Sequence, residues 1–348
     1  MAAGALTDEA RRNLRLLLER LPRNRFELHL AGAHAATAPL APLPADVPTH
    51  ELDAAPGRAV ARLAGLAGRL RADVLIFAPH DLSLGMLRRR ASFPETAKLV
   101  VRADPALAGA RASLLARRRW RREYARAHRV VCNSDALRRE LATRLSLPAE
   151  RLVRVYDPVD VERLREQAAT ARNPLAARGL GPHVLAIGSI TPQERHETLV
   201  DALPPLVAQF PDARLWILGD DPSGGGAETL RARAEELGVG SSLHLVGPPE
   251  HPGAWLAHAD LLAVASQSPD PPPALLQALA CECPVVALAP SAATQELLRA
   301  TGCESAARKE LDWQREWFRG GADAPGPRDL SAFEPEAAVE AWVGALGD

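Results

Sequence analysis

The stretch TDEARRNLRLLLERL (7–21) sets Leu14, Leu17, Leu18 and Leu21 three and four residues apart, the spacing of one face of an α-helix. Thr7 stands where an N-cap would, and Asp8 and Glu9 suit the positive end of the helix dipole. Short apolar runs then predict strands: RFELHLAG (25–32), VPTHEL (47–52), ADVLIFAP (72–79), AKLVVRAD (97–104), HRVVCNS (128–134) and LVRVYDPVD (152–160). Several are continuously apolar rather than alternating, as parallel strands covered on both faces are.

A stretch rich in Ala, Arg and Gly, TARNPLAARGLGP (170–182), interrupts this pattern, and the alternation then restarts. HVLAIGSI predicts a strand followed by a helix near 193–209. ARLWILGD leads into AETLRARAEELG, SLHLVGPP into a short helix near 252–258, and ADLLAVAS into PPALLQALA. PVVALAP leads into a helix near 293–300. Two successive βα series of similar length predict an α/β fold of two Rossmann-like doubly wound domains facing across a cleft. The expected division is a first domain at 1–169, a linker at 170–182, a second domain at 183–305 and a tail at 306–348 that crosses back to the first. The chain opens on a helix where such a domain opens on a central strand. Either the start lies downstream of the true one or the first domain is reduced, and in both cases neighbouring strands keep unpaired edges.

Composition narrows the classes. The chain has 348 residues, 47% apolar and 24% charged, with a formal net charge of −1, the profile of a globular protein. No apolar run reaches the roughly 20 residues of a membrane span, and the N-terminus has no signal-peptide core, so a cytoplasmic location is expected. Four cysteines are too scattered for a disulfide framework or a zinc site, and reduced, partly buried thiols are expected. Lys98 and Lys309 are the only lysines, so positive charge is nearly all arginine. Aromatics are 4% and do not interleave with the basic residues, which argues against nucleic-acid binding.

Several stretches taken together resemble the family 4 (group 1) glycosyltransferases of bacteria. They are ADVLIFA, AHRVVCNSDALRRELATRLSLPAERLVRVYDPVD, HVLAIGSITPQERHETLVDAL, ARLWILGDD, LHLVGPP and LLQALACECPVVA. The family's Asn-Pro-Val-Asp tetrapeptide reads Asp157-Pro-Val-Asp here. The resemblance implies the GT-B fold, a nucleotide-sugar donor as substrate on the second domain, retention of anomeric configuration and no bound metal. It also implies a glycan or lipid-linked glycan acceptor on the first domain, in polysaccharide biosynthesis.

The same resemblance names the donor-binding positions, several of which have changed type. Ser189 and Glu194 fall where an Arg and a Lys hold the diphosphate, and a carboxylate there repels phosphate. Arg195, one residue on, is the candidate substitute. Gln277 stands where a glutamate grips the ribose hydroxyls, and Asp270 lies beside Pro269, where another glutamate is implied near the sugar. Gly188, Gly219 and Gly247 complete the donor-binding set, Gly188 for close backbone approach. In the first domain, Asp104 stands near the place of a catalytic histidine, with His80 the alternative at a strand's C-terminal end.

Three further segments carry alternatives. SPDPPPALLQALA (268–280) reads as a helix start with three prolines where phosphate-binding N–H groups belong. It is either a weakened phosphate site or a rigid proline turn. SGGG (223–226) lacks the lysine of a P-loop and reads as a flexible surface turn. The arginine-rich 111–129 segment reads as peripheral membrane contact or as a solvated, salt-bridged face, and Trp313, Trp317 and Phe318 as buried tail residues. The enzyme reading requires the second domain to offer positive potential for two linked phosphates. Its alternative is a non-catalytic glycosyltransferase-like binding or scaffold protein. A dinucleotide-dependent oxidoreductase is disfavoured, since neither half shows Gly-x-Gly-x-x-Gly after its first strand.

Overall fold

In the computed structural model, residues 8–32, 43–52, 56–77, 80–103, 113–176, 179, 181–303, 307–308 and 329–347 are described. They divide into two units, Met1–Pro158 with Pro335–Asp348, and Val159–Glu334.

The first unit opens on α1 (Asp8–Arg20), with β1 (Leu30–Gly32) and β2 (Thr49–Glu51) after it. Then come α2 (Pro56–Leu70), β3 (Val74–Phe77), α3 (His80–Arg88), β4 (Lys98–Arg102), α4 (Leu114–Tyr124), β5 (Arg129–Cys132), α5 (Asp135–Leu145) and β6 (Leu152–Arg154). The strands β3-β4-β5-β6 form one parallel sheet in that order, while β1 and β2 form a separate parallel pair. Among the described residues, the hydrogen-bonded neighbour of β3 in the sheet is β4 alone. Ile76 on β3 is 40% exposed, whereas Leu99, Val100 and Val101 on β4 are buried.

Alternation along β4 sends its side chains to two faces. Leu99 and Val101 pack with Val60, Leu63, Met86, Leu87, Tyr124 and Leu141 from the helices on one side. Val100, with Val131 and Val155, packs against Leu17 and Leu21 of α1 and Trp342 and Leu346 of the C-terminal helix Pro335–Gly347. The carboxylate of Asp157 ties these layers. It accepts hydrogen bonds from Asn13 Nδ2 at 2.8 Å, Arg102 NH2 at 2.7 Å and Asn133 Nδ2 at 2.9 Å.

The second unit begins with α6 (Val161–Thr170) and β7 (His183–Ile187), then α7 (His196–Asp201), α8 (Leu203–Gln209), β8 (Arg214–Leu218) and α9 (Gly226–Glu236). It continues through β9 (Leu243–Leu245), α10 (Pro252–Leu256), β10 (Leu261–Val264), α11 (Pro273–Ala280), β11 (Val285–Leu288), α12 (Ala292–Ala300) and β12 (Ala307–Arg308). The helix expected over 193–209 is two, because Pro204 cannot donate into a continuous helix. The sheet is parallel in the order β12-β11-β10-β7-β8-β9. From β7 the chain winds outward to β9, then returns to β10 on the other side of β7. That reversal is a topological switch point, and in open α/β sheets ligands bind outside the strand ends there.

The division between units lies at Pro158, earlier than the expected boundary at 169. Residues of α6 are built into the second unit. The Gly253 N–H donates to Gln167 Oε1 at 3.2 Å, and a Cβ at Gly253 would collide with the Leu164 carbonyl. Much of the 306–348 tail, with Trp313, Trp317 and Phe318, lies outside the described residues.

Asp157→Ala deletes three hydrogen bonds to a carboxylate, one of them also an ion pair, and should destabilise the protein by about 2–4 kcal/mol in urea unfolding. Asp157→Asn, which keeps the acceptor oxygen but not its charge, should cost less. Equal losses in the two variants would mean that the Arg102 ion pair contributes nothing.

Candidate functional site

The loops at the C-terminal ends of β7, β8 and β10 meet at the switch point. Gly188 N–H donates to the Leu218 carbonyl at 3.0 Å and Ile190 N–H to the Asp220 carbonyl at 2.7 Å, so 188–190 runs alongside 218–220. The approach is close enough that a Cβ at Gly219 would collide with the Gly188 carbonyl. Gln267 N–H donates to the Gln193 carbonyl at 2.9 Å, which ties the loop after β10 to the loop after β7.

Glu194 folds back over Gly188. A Cβ added to Gly188 would meet the Glu194 carboxylate oxygen at 3.2 Å and its Cδ at 3.4 Å. Burial pushes this carboxyl up from the ordinary 4.5, against a hydrogen bond from Ser266 that favours the ionised form. His196, at 4% exposure, lies beneath the same carbonyl, with Nε2 3.1 Å from Gly188 O. A carbonyl only accepts, so Nε2 carries the proton. Burial lowers the pKa of His196 and keeps the ring neutral, and Nδ1 is a buried acceptor with no partner among the described residues.

Arg195 is the N-cap of α7 in the left-handed conformation, φ +53° and ψ +42°, which costs a non-glycine residue roughly 1–2 kcal/mol. It is half-buried, and its guanidinium makes no hydrogen bond or ion pair with a described residue. Ser189 turns away from it and donates to Asp220 Oδ1 at 2.5 Å. Thus the structure brings Gly188, Ser189, Gly219 and Arg195 into one loop cluster.

Other expected residues stand further out. Asp270 lies in the loop between β10 and α11, where its N–H donates to Ser268 Oγ at 3.1 Å. Gln277 is half-buried on α11, and Gly247 (φ +86°) follows β9 at the sheet edge, with β8 between it and β7. The proline run is a rigid start to α11: Pro272 is the N-cap, Pro273 opens the helix, and the Leu275 N–H is spent on the Pro272 carbonyl at 3.1 Å. The SGGG segment, expected as a flexible turn, is locked. Asp221 accepts from Gly224 N–H at 3.1 Å and Ala227 N–H at 2.9 Å, and Ser223 Oγ accepts from Gly225 and Gly226. Those bonds, led by the one from Ala227, hold the Asp221 carboxyl below its ordinary range. In the first unit His80 is the first residue of α3, and Asp104 lies outside the described residues.

The expected positive face is not what the loops present. Glu194, Asp220, Asp221, Glu250 and Asp270 stand in the loops after β7, β8, β9 and β10, against Arg195 alone as a permanent cation. Two of these acids are spent locally, Asp221 on backbone donors and Asp220 on Ser189. His196, Ser266 and Gln267 were not legible as site residues. The sole hint was their place next to changed positions, in ERHETL and at the end of LLAVAS.

On α4, Glu123 is buried and accepts from Arg88 Nε at 2.6 Å and Arg119 Nε at 3.3 Å. Arg118, Arg121 and Arg122 are exposed, and Leu115 is 76% exposed. Among the described residues no helix is long and apolar enough to cross a membrane, and no cluster of His, Cys, Asp or Glu has the arrangement of a metal site. The cysteines are free thiols, all but Cys281 buried.

Comparison with known proteins places these features. A model of Glycosyltransferase Family 4 matches residues 10–163, and one of Glycosyl transferases group 1 matches 181–310. The D-inositol 3-phosphate glycosyltransferase of Jonesia denitrificans is 31% identical over 170 residues, 45% of this chain and 40% of that protein. The chain thus aligns with about two fifths of the length of the curated relatives it matches. Among solved structures, Anabaena Alr3699/HepE in complex with UDP-glucose superposes with a TM-score of 0.79 at 16% identity, covering 100% of this chain and 97% of that one. WaaG, a glycosyltransferase involved in lipopolysaccharide biosynthesis, superposes with a TM-score of 0.65 at 15% identity, covering 97% and 96%. These likenesses establish the GT-B fold.

A carboxyl whose folded pKa is raised stabilises nothing above its unfolded value. Below about 4.5 Glu194 is protonated in both states and carries no penalty; as pH rises from there through its raised folded pKa, ionisation costs stability. Glu194→Gln should therefore raise the melting temperature at pH 8, with a gain that shrinks toward pH 4.5. A gain that grows on acidification would contradict the buried-carboxyl assignment.

Proposed function

The chain belongs to the family 4 and group 1 glycosyltransferases, and on that premise we propose that it transfers a sugar from a nucleotide-sugar donor to a glycan or lipid-linked glycan. The transfer retains anomeric configuration and serves synthesis of cell-envelope polysaccharide. The observation that carries this reading is the switch point of the second unit, where Gly219 lets the end of β8 lie against Gly188. Anabaena Alr3699/HepE is solved with UDP and with UDP-glucose, and WaaG is involved in lipopolysaccharide biosynthesis, which supports the donor and pathway classes.

In this reading Arg195 neutralises the diphosphate, the Gly188 backbone approaches it, Gln277 bonds the ribose hydroxyls and Asp270 stands near the sugar. Gly247 shapes the turn beside the base. The first unit carries the acceptor, with Asp104 and His80 as its candidate catalytic groups. Charge compensation comes from Arg195 and backbone donors, so the reading assigns no role to a metal. The protein works in the cytoplasm or at the inner face of the membrane, touching it through α4, where exposed Leu115 stands among arginines.

One observation favours a second reading. Glu194 folded over Gly188 sets a carboxyl where the resemblance puts a cation, which suits a non-catalytic binding or scaffold protein.

Calorimetric titration with UDP, GDP and ADP, followed by donor hydrolysis, separates the two. The enzyme reading expects saturable binding of at least one nucleotide. It expects Arg195→Ala to weaken that binding by about 10- to 100-fold, the worth of a charged hydrogen bond to phosphate. Because Arg195 is held left-handed, Arg195→Gly should weaken binding similarly without loss of stability. Absence of saturable binding at millimolar nucleotide would favour the scaffold.

A further inference from the structure

The first unit holds a cavity of about 670 Å³ at the N-terminal edge of its sheet, where β4, β5 and β6 begin. Ligands of open α/β sheets bind at the opposite edge, so this cavity is separate from the strand-end loops considered above. Five cationic side chains line it: Arg90, Lys98, Arg126, Arg129 and Arg151. Two carboxylates, Glu95 and Glu150, stand among them.

How these cations are held sets them apart. Several arginines elsewhere pair with acids, as Arg102 does with Asp157 and Arg144 with Glu140. None of the five in the cavity forms an ion pair with a described carboxylate; each is held by backbone carbonyls. Arg90 NH1 and NH2 donate to the carbonyls of Pro94, Glu95 and Ala97 at 2.7–3.0 Å. Arg126 NH1 donates to Leu87 and Arg88, Arg129 NH1 to Glu150, and Arg151 NH1 to Ala125 and Ala127. Lys98 Nζ is 3.5 Å from the Gly347 carbonyl.

The contacts of Arg126 and Arg151 close the C-terminal ends of α3 and α4, where carbonyls lack intrahelical donors, while Arg129 holds the turn before β6. These bonds account for one nitrogen each of Arg126, Arg129 and Arg151. They neutralise no charge, and Nε and NH2 of each guanidinium, on a stem already fixed in place, have no hydrogen-bond partner among the described residues. Anchored guanidiniums with unspent donors match phosphate oxygens in geometry and charge.

We propose that this cavity binds a phosphate-bearing anion, held by the unspent guanidinium edges of Arg126, Arg129 and Arg151 with Lys98 as a further point charge. The anion comes from a soluble phosphate compound or from a phospholipid headgroup. This site does not depend on the donor assignment.

The test is calorimetric titration of the full chain with inorganic pyrophosphate at low salt, on the wild type and on a Lys98→Met/Arg126→Gln variant. Thermal melting confirms that the variant folds; Lys98→Met alone, which removes no carbonyl anchor of an arginine, serves if it does not. The proposal expects saturable binding that weakens at least tenfold in the double variant, or at least threefold in Lys98→Met. Tungstate soaked into crystals should give an anomalous peak beside Arg126, Arg129 and Arg151. Sedimentation with phosphatidylcholine vesicles, with and without phosphatidylglycerol, distinguishes the sources: variant-sensitive binding to the anionic vesicles identifies the headgroup, and its absence the soluble compound. Unchanged pyrophosphate affinity in the variants overturns the site, whatever becomes of nucleotide binding, and so does the absence of saturable binding.

Discussion

The second unit is organised by one close backbone contact, the approach of β8's end to the Gly188 carbonyl. Any side chain at Gly219 would break it, and the neighbouring groups take their places from it. The Gly188 carbonyl, pressed from one side by Gly219, takes its hydrogen bond from His196 Nε2, which fixes the tautomer of a buried neutral ring. The bare Cα of Gly188 gives Glu194 room to fold back, and Arg195 then begins α7 from a left-handed backbone. A larger residue at either glycine would displace all three.

Departures from the family pattern are absorbed differently in the two units. In the first, Asp157 replaces an asparagine and gains a charge, but Arg102 meets it at 2.7 Å and two amide groups complete its hydrogen bonds. In the second, Glu194 stands where the resemblance implies a lysine, and its described partner is a serine hydroxyl. A carboxylate answered by a guanidinium is a structural replacement. A carboxyl answered by Ser266 and burial is forced toward its neutral form, and a neutral carboxyl can donate to a phosphate oxygen where the anion would repel it. The loop after β7 thus keeps its shape while its electrostatics depend on one proton.

The βα alternation was legible because continuous apolar runs such as LVV in β4 and LLAV in β10 have no use outside a sheet covered on both faces. The placement of α6 was not: VERLREQAAT has an ordinary amphipathic pattern, and its attachment to the second unit depends on Gly253 and Gln167, far apart in sequence. Glycines and changed charges flagged the site loops, since spacing exposes a Glu where a Lys is implied. Spacing cannot say where that carboxyl points, whether Ser189 finds Asp220, or that Asp221 consumes the N–H groups of the SGGG turn. Those are decided by contacts between loops of different strands.

The central claim is that the Glu194 carboxyl governs how the loop after β7 meets a phosphate. The most direct measurement is UDP affinity of Glu194→Lys against the wild type at neutral pH. Replacing a carboxyl by a permanent cation in that loop predicts binding tighter by at least about tenfold. Equal or weaker affinity in the variant would contradict the account and place any phosphate contact elsewhere.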